Sequence, residues 1–583
     1  MSALLGLPDT APFPPDAIAT LNTVIGTASP AQRTWLSGFL AGLEAAGGQT
    51  AAHPAAPPAA RPKLTILFAT ESGNSEALAL TAKRDATRLC FAARVLDAAD
   101  ATPAILRDAG ALVVIASTWG EGEAPQRAAP FMRSLLADEA PRLDGLRFAV
   151  LALGDRAYAQ FCETGRSIDH RLEALGATRA APFLECDLDY ETPAAAWLGT
   201  TLSSLRGPEA PGSVIHVDFG AATTIPTKSA PFAAEITELV NLNSSRSGKQ
   251  TFHVELSLAG SGITYLPGDS LGLIPENDPA LVRDILAATG LAADDAVRDA
   301  LTRRHDITTL TPYLIRTLAA STGNPHLAAV DATYLPGRHV IDLLTDFPMT
   351  LAPDQLLAAL RPLAPRLYSI ASSQRATPDE AHLLVSTVRY EAHGRARGGV
   401  ASTWLADRRR AGDTVPVYVK PNPHFRLPAE TDTPVIMIGP GTGVAPFRAF
   451  LQDRDAVREG GKAQGRTWLF FGDRRYTHDF LYQLDWQDYL KRSVLSRLDV
   501  AFSRDQDAKR YVQHAMLDRA AELHAWLQDG ARVYVCGDQA HMARGVHAAL
   551  RTILTDKGAL SPDRAEAELD AMRAQGRYLL DVY

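Results

Sequence analysis

Three loops carry the residue types that bind a phosphate and a flat aromatic ring. Residues 70–75 (TESGNS) offer hydroxyls and backbone N–H groups at the start of a helix expected near Ala77, which suits a phosphate. Residues 117–125 (STWGEGEAP) contain glycines that let the backbone approach a planar ring closely. Residues 153–162 (LGDRAYAQFC) include Tyr158, whose ring can stack on such a ligand. A serine-rich helix start is common by itself, so the prediction depends on all three loops together.

The second half of the chain contains motifs suited to a dinucleotide. In the motif RLYS, the guanidinium of Arg366 can hold a pyrophosphate through two hydrogen bonds. Tyr368 can cover a flat ring, and the Ser369 hydroxyl can approach one of its nitrogen atoms. The small-residue turn 399–402 (GVAS) precedes a helix expected over 403–410 and offers another anion site at a helix start. Each motif alone is also compatible with an ordinary strand or turn.

A glycine-rich loop and a group of cations favour NADPH as a ligand. The loop 439–448 (GPGTGVAPFR) lacks the GxGxxG spacing, so the usual dinucleotide-fold inference does not apply to it. Ser503 and Arg504 follow a predicted strand, and Lys509 lies shortly after them. An adenosine 2′-phosphate requires cations, whereas a free ribose hydroxyl is usually met by a carboxylate. Without the neighbouring motifs, these cations would be read as surface charges.

The elements that must position these loops alternate between strand and helix. Three short apolar runs each end in one of the first three loops, with helical stretches between them: 63–69, 111–117 and 147–153. This rhythm predicts a parallel, doubly wound sheet with ligand loops at the carboxyl ends of its strands. Later runs alternate as strands of an antiparallel barrel: 231–242, 251–258, 263–274, 366–373 and 382–390. A mainly helical insert over about 279–360 interrupts the barrel, and from Pro434 strands over 434–438, 498–502 and 532–535 alternate with helices.

The sequence thus predicts a multidomain α/β protein with five regions. These are an N-terminal helical segment with a linker (1–62), a doubly wound domain (63–204), a second linker (205–228), a barrel with its insert (229–430) and a final α/β domain (431–583). Within the first region, residues 29–46 predict a helix whose apolar stripe contains Trp35, Leu36, Phe39, Leu40 and Leu43. That stripe either packs on the main body or mediates self-association, and an Ala/Pro/Gly-rich linker follows it over 45–62.

Composition narrows the class of protein. The chain has 583 residues, 46% of them hydrophobic and 21% charged, as expected for a globular protein of several domains. A net charge of −8 argues against broad nucleic-acid binding. No apolar run approaches the roughly 20 residues that span a bilayer, and the start lacks a basic secretory leader. The four cysteines have neither zinc-site nor iron–sulfur spacing, which predicts a cytoplasmic protein whose terminal metal centre lies in another chain.

With these motifs in place, residues 63–204 resemble the flavodoxin-like module of diflavin reductases, which implies bound FMN. The remainder resembles the ferredoxin–NADP reductase-like family, an antiparallel barrel with a helical insert followed by an NADP domain, which implies FAD and NADPH. The resemblance assigns FMN to Thr70, Glu71, Ser72, Gly73, Asn74, Ser75, Ser117, Thr118, Trp119, Gly120, Leu153, Gly154, Asp155, Arg156, Ala157, Tyr158, Ala159, Gln160, Phe161 and Cys162. It assigns FAD to Thr308, Arg366, Leu367, Tyr368, Ser369, Leu384, Val385, Ser386, Tyr390, Gly399, Val400, Ala401, Ser402 and Tyr583. It assigns NADPH to Gly441, Thr442, Gly443, Ser503, Arg504, Lys509, Arg510, Tyr511, Val512, Gln513 and Gly545, the last of which stands where related chains have an aspartate.

The same resemblance implies four catalytic residues: Ser369, Cys536, Asp581 and Tyr583. A lone buried cysteine is usually a small hydrophobe, but the family pattern places Cys536 against the nicotinamide carbon that gives up hydride. A carboxylate at Asp581 can stabilise the positive charge that develops on that ring. The terminal Tyr583 can lie on the flavin and must then move before nicotinamide stacks there.

Within this family, the chain resembles most the flavoprotein subunits of assimilatory NADPH–sulfite reductases. The stretches that carry the resemblance are 29–43, 360–374, 433–450, 502–513 and 577–583. It implies a haemoprotein partner with sirohaem and an iron–sulfur cluster that reduces sulfite to sulfide, and a homo-oligomer formed through the N-terminal segment. A stand-alone reductase of cytochromes, or a flavin-binding scaffold, is the alternative. Five acidic residues form either a docking rim for a redox partner or a merely solvated surface: Glu121, Glu123, Asp187, Asp189 and Glu191.

Overall fold

The computed structural model describes residues 22, 61–71, 73–120, 122–158, 160–206, 226–459 and 464–583. The helix predicted over 29–46 and nearly all of the linker that follows it lie outside this part of the chain. So do Ser72, Glu121, Ala159 and most of the linker predicted over 205–228. The elements below belong to the unit Pro62–Tyr583.

The first sheet is parallel and contains the three strands predicted from the apolar runs. Its strands are β1 (Lys63–Ala69), β2 (Ala92–Asp97), β3 (Ala111–Ser117), β4 (Arg147–Leu153), β5 (Thr178–Arg179) and β6 (Leu184–Cys186). The order is β2-β1-β3-β4-β5, with β6 also paired to β4. Helices α1 (Asn74–Arg88), α2 (Ala129–Leu136) and α3 (Glu163–Ala174) connect strands of this sheet, and α4 (Glu191–Arg206) follows β6. The predicted bounds of β1, β3 and β4 are confirmed.

Both faces of this sheet are buried, which explains why its strands read as unbroken apolar runs. Leu67 and Val114 pack in a core on one face, and their neighbours Ile66 and Val113 pack in a second core on the other. Such two-sided burial is characteristic of a doubly wound sheet. The prediction that the first helix begins near Ala77 is wrong, because Gly73 adopts a left-handed conformation (φ 76°) and the helix begins directly after it.

The second sheet is antiparallel and forms the predicted barrel. Its strands are β7 (Phe232–Asn241), β8 (Thr251–Ser257), β9 (Ser270–Leu273), β10 (Arg366–Ser369), β11 (Glu380–Ser386) and β14 (Thr414–Lys420), in the order β10-β9-β14-β7-β8-β11. A bridge between Ile370 and Leu383 joins the end of β10 to β11 and closes the barrel. A hairpin of β12 (Arg389–Ala392) and β13 (Arg395–Gly398) lies between β11 and β14.

Three predicted barrel strands are too long. The run 263–274 is a strand only over Ser270–Leu273, because a turn at Pro267 precedes it, closed by Asp269 N–H donating to Leu266 O at 2.9 Å. The run 366–373 ends as a strand at Ser369, and the run 382–390 is split between β11 and β12.

Six short helices interrupt the barrel, as predicted. They are α5 (Pro279–Thr289), α6 (Asp295–Arg303), α7 (Pro312–Thr322), α8 (Pro325–Ala328), α9 (Val340–Asp346) and α10 (Pro353–Ala359). The side chains of Asp278, Asp294 and Thr311 cap three of them, since each accepts a hydrogen bond from a backbone N–H of the first turn. The insert has its own apolar core, which includes Ile285, Leu314 and Leu343. After β13 comes α11 (Val400–Arg408), which begins three residues earlier than predicted.

The third sheet is parallel and runs to the C-terminus. Its strands are β15 (Val435–Ile438), β16 (Thr467–Asp473), β17 (Arg497–Phe502), β18 (Arg532–Gly537) and β19 (Tyr578–Val582), in the order β17-β16-β15-β18-β19. Its helices are α12 (Ala445–Glu459), α13 (Tyr476–Asp479), α14 (Gln483–Lys491), α15 (Val512–Asp518), α16 (Ala520–Gln528), α17 (Arg544–Asp556) and α18 (Pro562–Ala574). Cys536 lies within β18, so the expectation that this strand ends at Val535 is wrong.

A multidomain α/β fold is therefore confirmed, with two parallel sheets and an antiparallel barrel. Among the helices in the described ranges, none is both long and apolar enough to cross a bilayer.

Candidate functional site

The loop after β1 has the features of a phosphate site. Thr70 is buried and its Oγ1 has no hydrogen-bond partner among the described residues, which is costly unless a ligand supplies one. Ser75 is buried at the first turn of α1, where its hydroxyl lies 2.6 Å from that of Ser117. Asn74 Oδ1 accepts a hydrogen bond of 2.6 Å from Lys420 Nζ. A phosphate bound at this helix start would satisfy the unpaired hydroxyl of Thr70.

The three predicted loops meet around a cavity of about 440 Å³, which we call the FMN cavity. Tyr158 is 47% exposed, so one face of its ring is free to stack on a ligand. The lining residues are Glu71, Asn74, Ser117, Thr118, Trp119, Gly120, Leu153, Gly154, Asp155, Tyr158, Gln160, Gln539 and Tyr583. The structure thus brings residues from all three predicted loops to a single cavity.

Other members of the third loop do not line this cavity. Cys162 is buried, and desolvation raises the pKa of its thiol to about 12, so it stays neutral. The guanidinium of Arg156 lies between two rings, 5.2 Å from the centroid of Phe161 and 5.2 Å from that of Tyr313. Ala157 N–H donates to Asp155 Oδ1 at 2.7 Å and shapes the turn. These residues stabilise the conformation of the third loop without lining the cavity.

A second cavity of about 490 Å³, the FAD cavity, lies between the barrel and the third sheet. Its lining residues are Glu71, Trp119, Ser270, Leu367, Tyr368, Ser369, Leu384, Ser386, Val388, Lys420, Pro421, Asn422, Thr442, Ala445, Leu580, Asp581, Val582 and Tyr583. Glu71, Trp119 and Tyr583 line both this cavity and the FMN cavity. The two cavities are therefore direct neighbours.

Three of the four predicted catalytic residues line the FAD cavity, namely Ser369, Asp581 and Tyr583, whereas Cys536 is fully buried beside Asp581. Ser369 Oγ donates to Asp581 Oδ2 at 2.8 Å, and Cys536 Sγ lies 3.7 Å from the same oxygen. Cys536 and Asp581 are opposite each other in the β18–β19 register. Tyr583 OH lies 2.9 Å from Thr442 Oγ1, and 61% of the Tyr583 residue surface is exposed.

Burial controls the protonation of this group. Desolvation raises the pKa of Asp581, although the hydrogen bonds from Ser369 and Cys536 oppose the shift. Desolvation and the charge of Asp581 raise the pKa of the Cys536 thiol well above its usual range, so the thiol is neutral. The site therefore pairs a carboxylate of raised pKa with a neutral thiol.

The glycine-rich loop after β15 lies directly against this site. A Cβ added to Gly443 would lie 2.1 Å from the backbone oxygen of Cys536, so the close approach of the loop to β18 requires glycine.

The remaining predicted FAD residues have different environments. Thr308 and Val400 line a further cavity of about 360 Å³, the Thr308 cavity, which also contains Arg395, Arg397 and Arg408. The side chains of Val385 and Ala401 pack in the barrel core, so a contact of these two residues with FAD would come from their backbone atoms and stays a prediction. Arg366 NH1 donates to Ala364 O at 2.7 Å, Ser402 Oγ accepts from Val388 N–H at 3.1 Å, and Tyr390 OH lies 2.9 Å from His339 Nε2.

A cavity of about 480 Å³, the NADPH cavity, lies at the carboxyl ends of β16 and β17. It is lined by Pro440, Gly441, Gly472, Asp473, Arg474, Ala501, Ser503, Tyr511, Val512, Gln513, Asp538, His541 and Met542. Arg504 and Lys509 are exposed and do not line it, and Arg510 is paired with Asp518. A Cβ added to Gly545 would lie 2.9 Å from Gln513 Nε2, which places Gly545 beside the cavity.

Several lining residues were not predicted from sequence. Arg474 and Asp538 directly follow β16 and β18, so the rule that ligands bind at the carboxyl ends of parallel strands was a signal for both. No sequence signal indicated Lys420, the last residue of the barrel strand β14, or Gln539, which follows Asp538 after β18. Lys420 lines the FAD cavity and Gln539 lines the FMN cavity, where it accepts a hydrogen bond of 2.5 Å from Trp119 Nε1.

Part of the predicted acidic rim is paired within the chain. Lys228 Nζ lies 3.1 Å from Asp189 Oδ1 and 3.5 Å from Glu191 Oε1, and both carboxylates are more than half exposed. A role of this rim in docking stays a prediction.

One group among the described residues has the composition of a metal site: His253, Glu255 and His382. However, His253 Nδ1 lies 2.8 Å from Tyr482 OH, and Arg448 NH1 lies 3.2 Å from His382 Nδ1. A permanently charged guanidinium beside a ligand nitrogen opposes a cation, so the group is better explained as a hydrogen-bonded joint between the barrel and the third sheet.

Comparison with known proteins agrees with the division of the chain into a first sheet, a barrel and a third sheet. The Flavodoxin profile matches residues 66–197, the FAD binding domain profile matches 226–319 and 317–404, and the Oxidoreductase NAD-binding domain profile matches 437–548. The chain is 43% identical to the sulfite reductase (NADPH) flavoprotein alpha-component of Bacillus subtilis, over 98% of this chain and 99% of the relative. It is 40% identical to the protein of that name from Photobacterium profundum, over 98% of both chains.

Proposed function

The chain belongs to the family of sulfite reductase (NADPH) flavoprotein alpha-components, and we propose that it passes electrons from NADPH through FAD and FMN to a haemoprotein that reduces sulfite to sulfide. The single observation that carries this proposal is the pair of adjoining cavities, which share Glu71, Trp119 and Tyr583. Bound FAD takes up a hydride and bound FMN gives out electrons singly, a chemistry that belongs to the cofactors. The protein supplies the positions and the electrostatic environment.

Asp581 has the central role at the hydride-transfer end. Its carboxylate accepts a hydrogen bond from the Ser369 hydroxyl, which fixes the direction of that hydroxyl at the FAD cavity wall. When it is ionised, it stabilises the positive charge that develops on nicotinamide as hydride leaves. The neutral thiol of Cys536 fills the space beside it without adding a competing charge.

Tyr583 acts as a movable cover of the FAD cavity. Its ring is largely exposed, and one side-chain hydrogen bond, with Thr442, holds its hydroxyl. A net hydrogen bond of this kind contributes only about 1 kcal/mol, so the ring can leave when nicotinamide enters.

The NADPH cavity supplies polar and cationic groups for the other end of the dinucleotide. Ser503, Tyr511 and Gln513 line it, and Arg474 adds a cation that faces the same space. Arg504 and Lys509 are exposed nearby and are available to a 2′-phosphate. This arrangement favours NADPH over NADH.

The partner and the assembly are also part of the proposal. The acceptor is the haemoprotein subunit with its sirohaem and iron–sulfur cluster, both proteins work in the cytoplasm, and the N-terminal segment joins copies of this chain. No nucleic acid or membrane takes part.

Purified protein tests the proposal in two steps. Flavin released from the protein should contain FMN and FAD in equal amounts, and NADPH should bleach the flavin absorbance. Sulfide should then form when the haemoprotein subunit is added. Reduction of cytochrome c without sulfide formation would favour a stand-alone reductase, and a failure of NADPH to bleach the flavin would favour a scaffold.

A further inference from the structure

Two neighbouring residues of the third loop (153–162), which we call the FMN loop, contact the helical insert and the residues that directly follow it. Asp155 Oδ1 accepts a hydrogen bond of 2.6 Å from Arg361 NH1. The guanidinium of Arg156 lies 5.2 Å from the ring centroid of Tyr313 on α7, within the range of a cation–π interaction. We call these four residues the loop–insert contact. It joins the loop that carries Tyr158 to an element of the FAD-binding half.

Arg361 is held in place by more than Asp155. Its Nε and NH2 donate to Asp306 Oδ2 at 3.0 and 2.9 Å, and NH2 also donates to Thr309 Oγ1 at 3.0 Å. The Arg361 side chain is 15% exposed and that of Asp306 is 2% exposed, so solvent and salt screen this pair weakly. A lysine has no planar fork and cannot make both sets of contacts at once.

The carboxylate of Asp306 extends the contact toward the FAD side. It accepts the backbone N–H and the hydroxyl of Thr308 at 2.8 and 2.7 Å. Burial opposes ionisation of Asp306, but the charge of Arg361 and the donors of Thr308 and Thr309 together hold its pKa below the ordinary value. Since Asp155 lines the FMN cavity and Thr308 lines the Thr308 cavity, a continuous chain Asp155–Arg361–Asp306–Thr308 links the FMN cavity to the FAD-binding half of the protein.

Two further contacts between the loops of the first sheet and the rest of the unit hold different loops. Lys420 binds Asn74 of the phosphate loop, and Trp119 of the second loop donates to Gln539. The loop–insert contact holds the third loop, whose Tyr158 is the residue available to stack on a bound ring.

We propose that Arg361 and Tyr313 are positioning residues that hold the FMN loop against the FAD half and thereby set the rate of electron transfer from FAD to FMN. The inference rests on the proposed function. In that step each electron lost by FAD is gained by FMN, so no further oxidant or reductant takes part. Hydride transfer from NADPH to FAD occurs at Ser369, Cys536 and Asp581, which the loop–insert contact does not touch.

Four variants of the full-length, flavin-loaded protein test this inference: Arg361→Gln, Arg361→Lys, Tyr313→Leu and, as a matched control, Arg316→Gln on the same helix as Tyr313. Stopped-flow absorbance after mixing with NADPH separates FAD reduction from the later reduction of FMN. We expect Arg361→Gln to slow FMN reduction about tenfold, with a smaller loss in Arg361→Lys and Tyr313→Leu. FAD reduction by NADPH should be unchanged in all four.

Hydrogen–deuterium exchange supplies a readout that does not depend on turnover. In Arg361→Gln, backbone amides of residues 153–162 and of residues 306–313 should exchange faster, while the control behaves as wild type. The FMN content should remain one per chain, since none of the substituted residues lines the FMN cavity.

Any of three results would overturn the inference. The first is equal slowing of FAD and FMN reduction, and the second is unchanged hydrogen–deuterium exchange in both segments. The third is a wild-type rate of FMN reduction in Arg361→Gln or, where Arg361→Gln fails to fold, in Tyr313→Leu. Tyr313 is 37% exposed, so its substitution keeps the test open if the loss of Arg361 unfolds the insert. A failure of the proposed function is distinct, because wild-type protein would then lack one flavin or form no sulfide with the haemoprotein.

Discussion

At the scale of single residues, Asp581 combines a partly buried carboxylate with three polar neighbours. Ser369 and Cys536 contact one of its oxygens, and Asn422 Nδ2 lies 3.5 Å from the other. Because burial raises its pKa, the carboxylate takes up a proton at a higher pH than an ordinary aspartate does. Its charge, which the hydride step needs, is therefore lost early on acidification.

We predict an acid limb in the rate of FAD reduction by NADPH. The rate should fall as the pH is lowered, beginning above the range in which an exposed aspartate titrates. Asp581→Asn should lower the plateau about a hundredfold and abolish the limb, since removal of one preorganised electrostatic group typically costs this much. Stopped-flow measurements between about pH 5 and 8 check both effects. An acid limb that persists in Asp581→Asn would assign the titration to another group.

Cys536 is expected to act through shape and not through a thiolate. It is fully buried and its thiol is neutral, so Cys536→Ala removes volume and a weak donor beside Asp581. We predict that FAD reduction by NADPH slows about tenfold, which corresponds to about 1.4 kcal/mol in the activation barrier of that step. Electron exchange between flavins that are already reduced should keep its wild-type rate.

Cys186→Ala is the matched control for this substitution. Cys186 is also buried but lies in β6 of the first sheet, away from the FAD cavity. It should leave FAD reduction unchanged. Equal slowing of both electron-transfer steps in Cys536→Ala would contradict the role given to this residue.

Ser369 was accessible from the sequence because it ends the short motif RLYS, whereas Cys536, Asp581 and Tyr583 were identified through the family resemblance. What the sequence did not show is their mutual contact, which depends on the register that places Cys536 opposite Asp581. Lys420 and Gln539 were missed for a related reason. Each forms a hydrogen bond with a residue of the first sheet's loops, Lys420 with Asn74 and Gln539 with Trp119, and the sequence carries no pattern for such distant pairs.

At the scale of elements, periodicity predicted the main strands, and local turns decided where they end. Strands β1, β3 and β4 of the first sheet were predicted with their bounds because both of their faces are buried, whereas β2, which is partly exposed, was not predicted. The barrel strands were overextended, since apolar alternation continues through the turn before β9. The dipeptide Pro267-Gly268 was the available signal for that turn.

The joint between the barrel and the third sheet has a pH dependence that can be predicted. His253 on β8 contacts Tyr482 beside α14, and both side chains are buried. Burial, together with the nearby charges of Arg448 and His382, lowers the pKa of His253 to about 3. In the unfolded chain its pKa is near 6.5, so between these two values the unfolded state binds the additional proton.

The free energy of unfolding should therefore fall as the pH decreases from about 6.5 toward 3, by at most about 1.4 kcal/mol per pH unit for this one group. Urea titrations of wild type and of His253→Asn at several pH values check this. The variant cannot take up that proton, so the stability difference between the two proteins should shrink at lower pH. A difference that stays constant with pH would show that His253 does not titrate on unfolding.

At the scale of the whole molecule, the order along the chain of the first sheet, the barrel and the third sheet, here called the three layers, was predictable because each has its own pattern of strands and helices. Their mutual placement was not. It depends on contacts such as Asp155 with Arg361 and Lys420 with Asn74, whose partners lie far apart in the chain. Pairs of this kind carry no local pattern, and they become visible only when the layers are assembled.

Because the FMN phosphate and FAD are bound mainly by different layers, we predict that the two flavins can be lost separately. Thr70 belongs to the first sheet, and its unpartnered hydroxyl is suited to the FMN phosphate, whereas the FAD cavity is built mainly by the barrel and the third sheet. Thr70→Val keeps the shape of the side chain and removes the donor. A hydrogen bond to a charged group contributes about 1.5–3 kcal/mol, so FMN affinity should fall at least about tenfold. FAD content and NADPH-dependent reduction of a small acceptor such as ferricyanide should be retained, while sulfide formation with the haemoprotein should be lost.

Thr65→Val separates weaker binding from a weaker fold. Thr65 lies on β1, which leads into the loop of Thr70, and its buried hydroxyl donates to Ala109 O at 3.3 Å, away from the FMN cavity. This variant should lower the stability of the first sheet and still retain FMN, and added FMN should restore sulfide formation to Thr70→Val. If Thr70→Val released both flavins together, the two cavities would have to be coupled in binding, and the division of labour between the layers would be wrong.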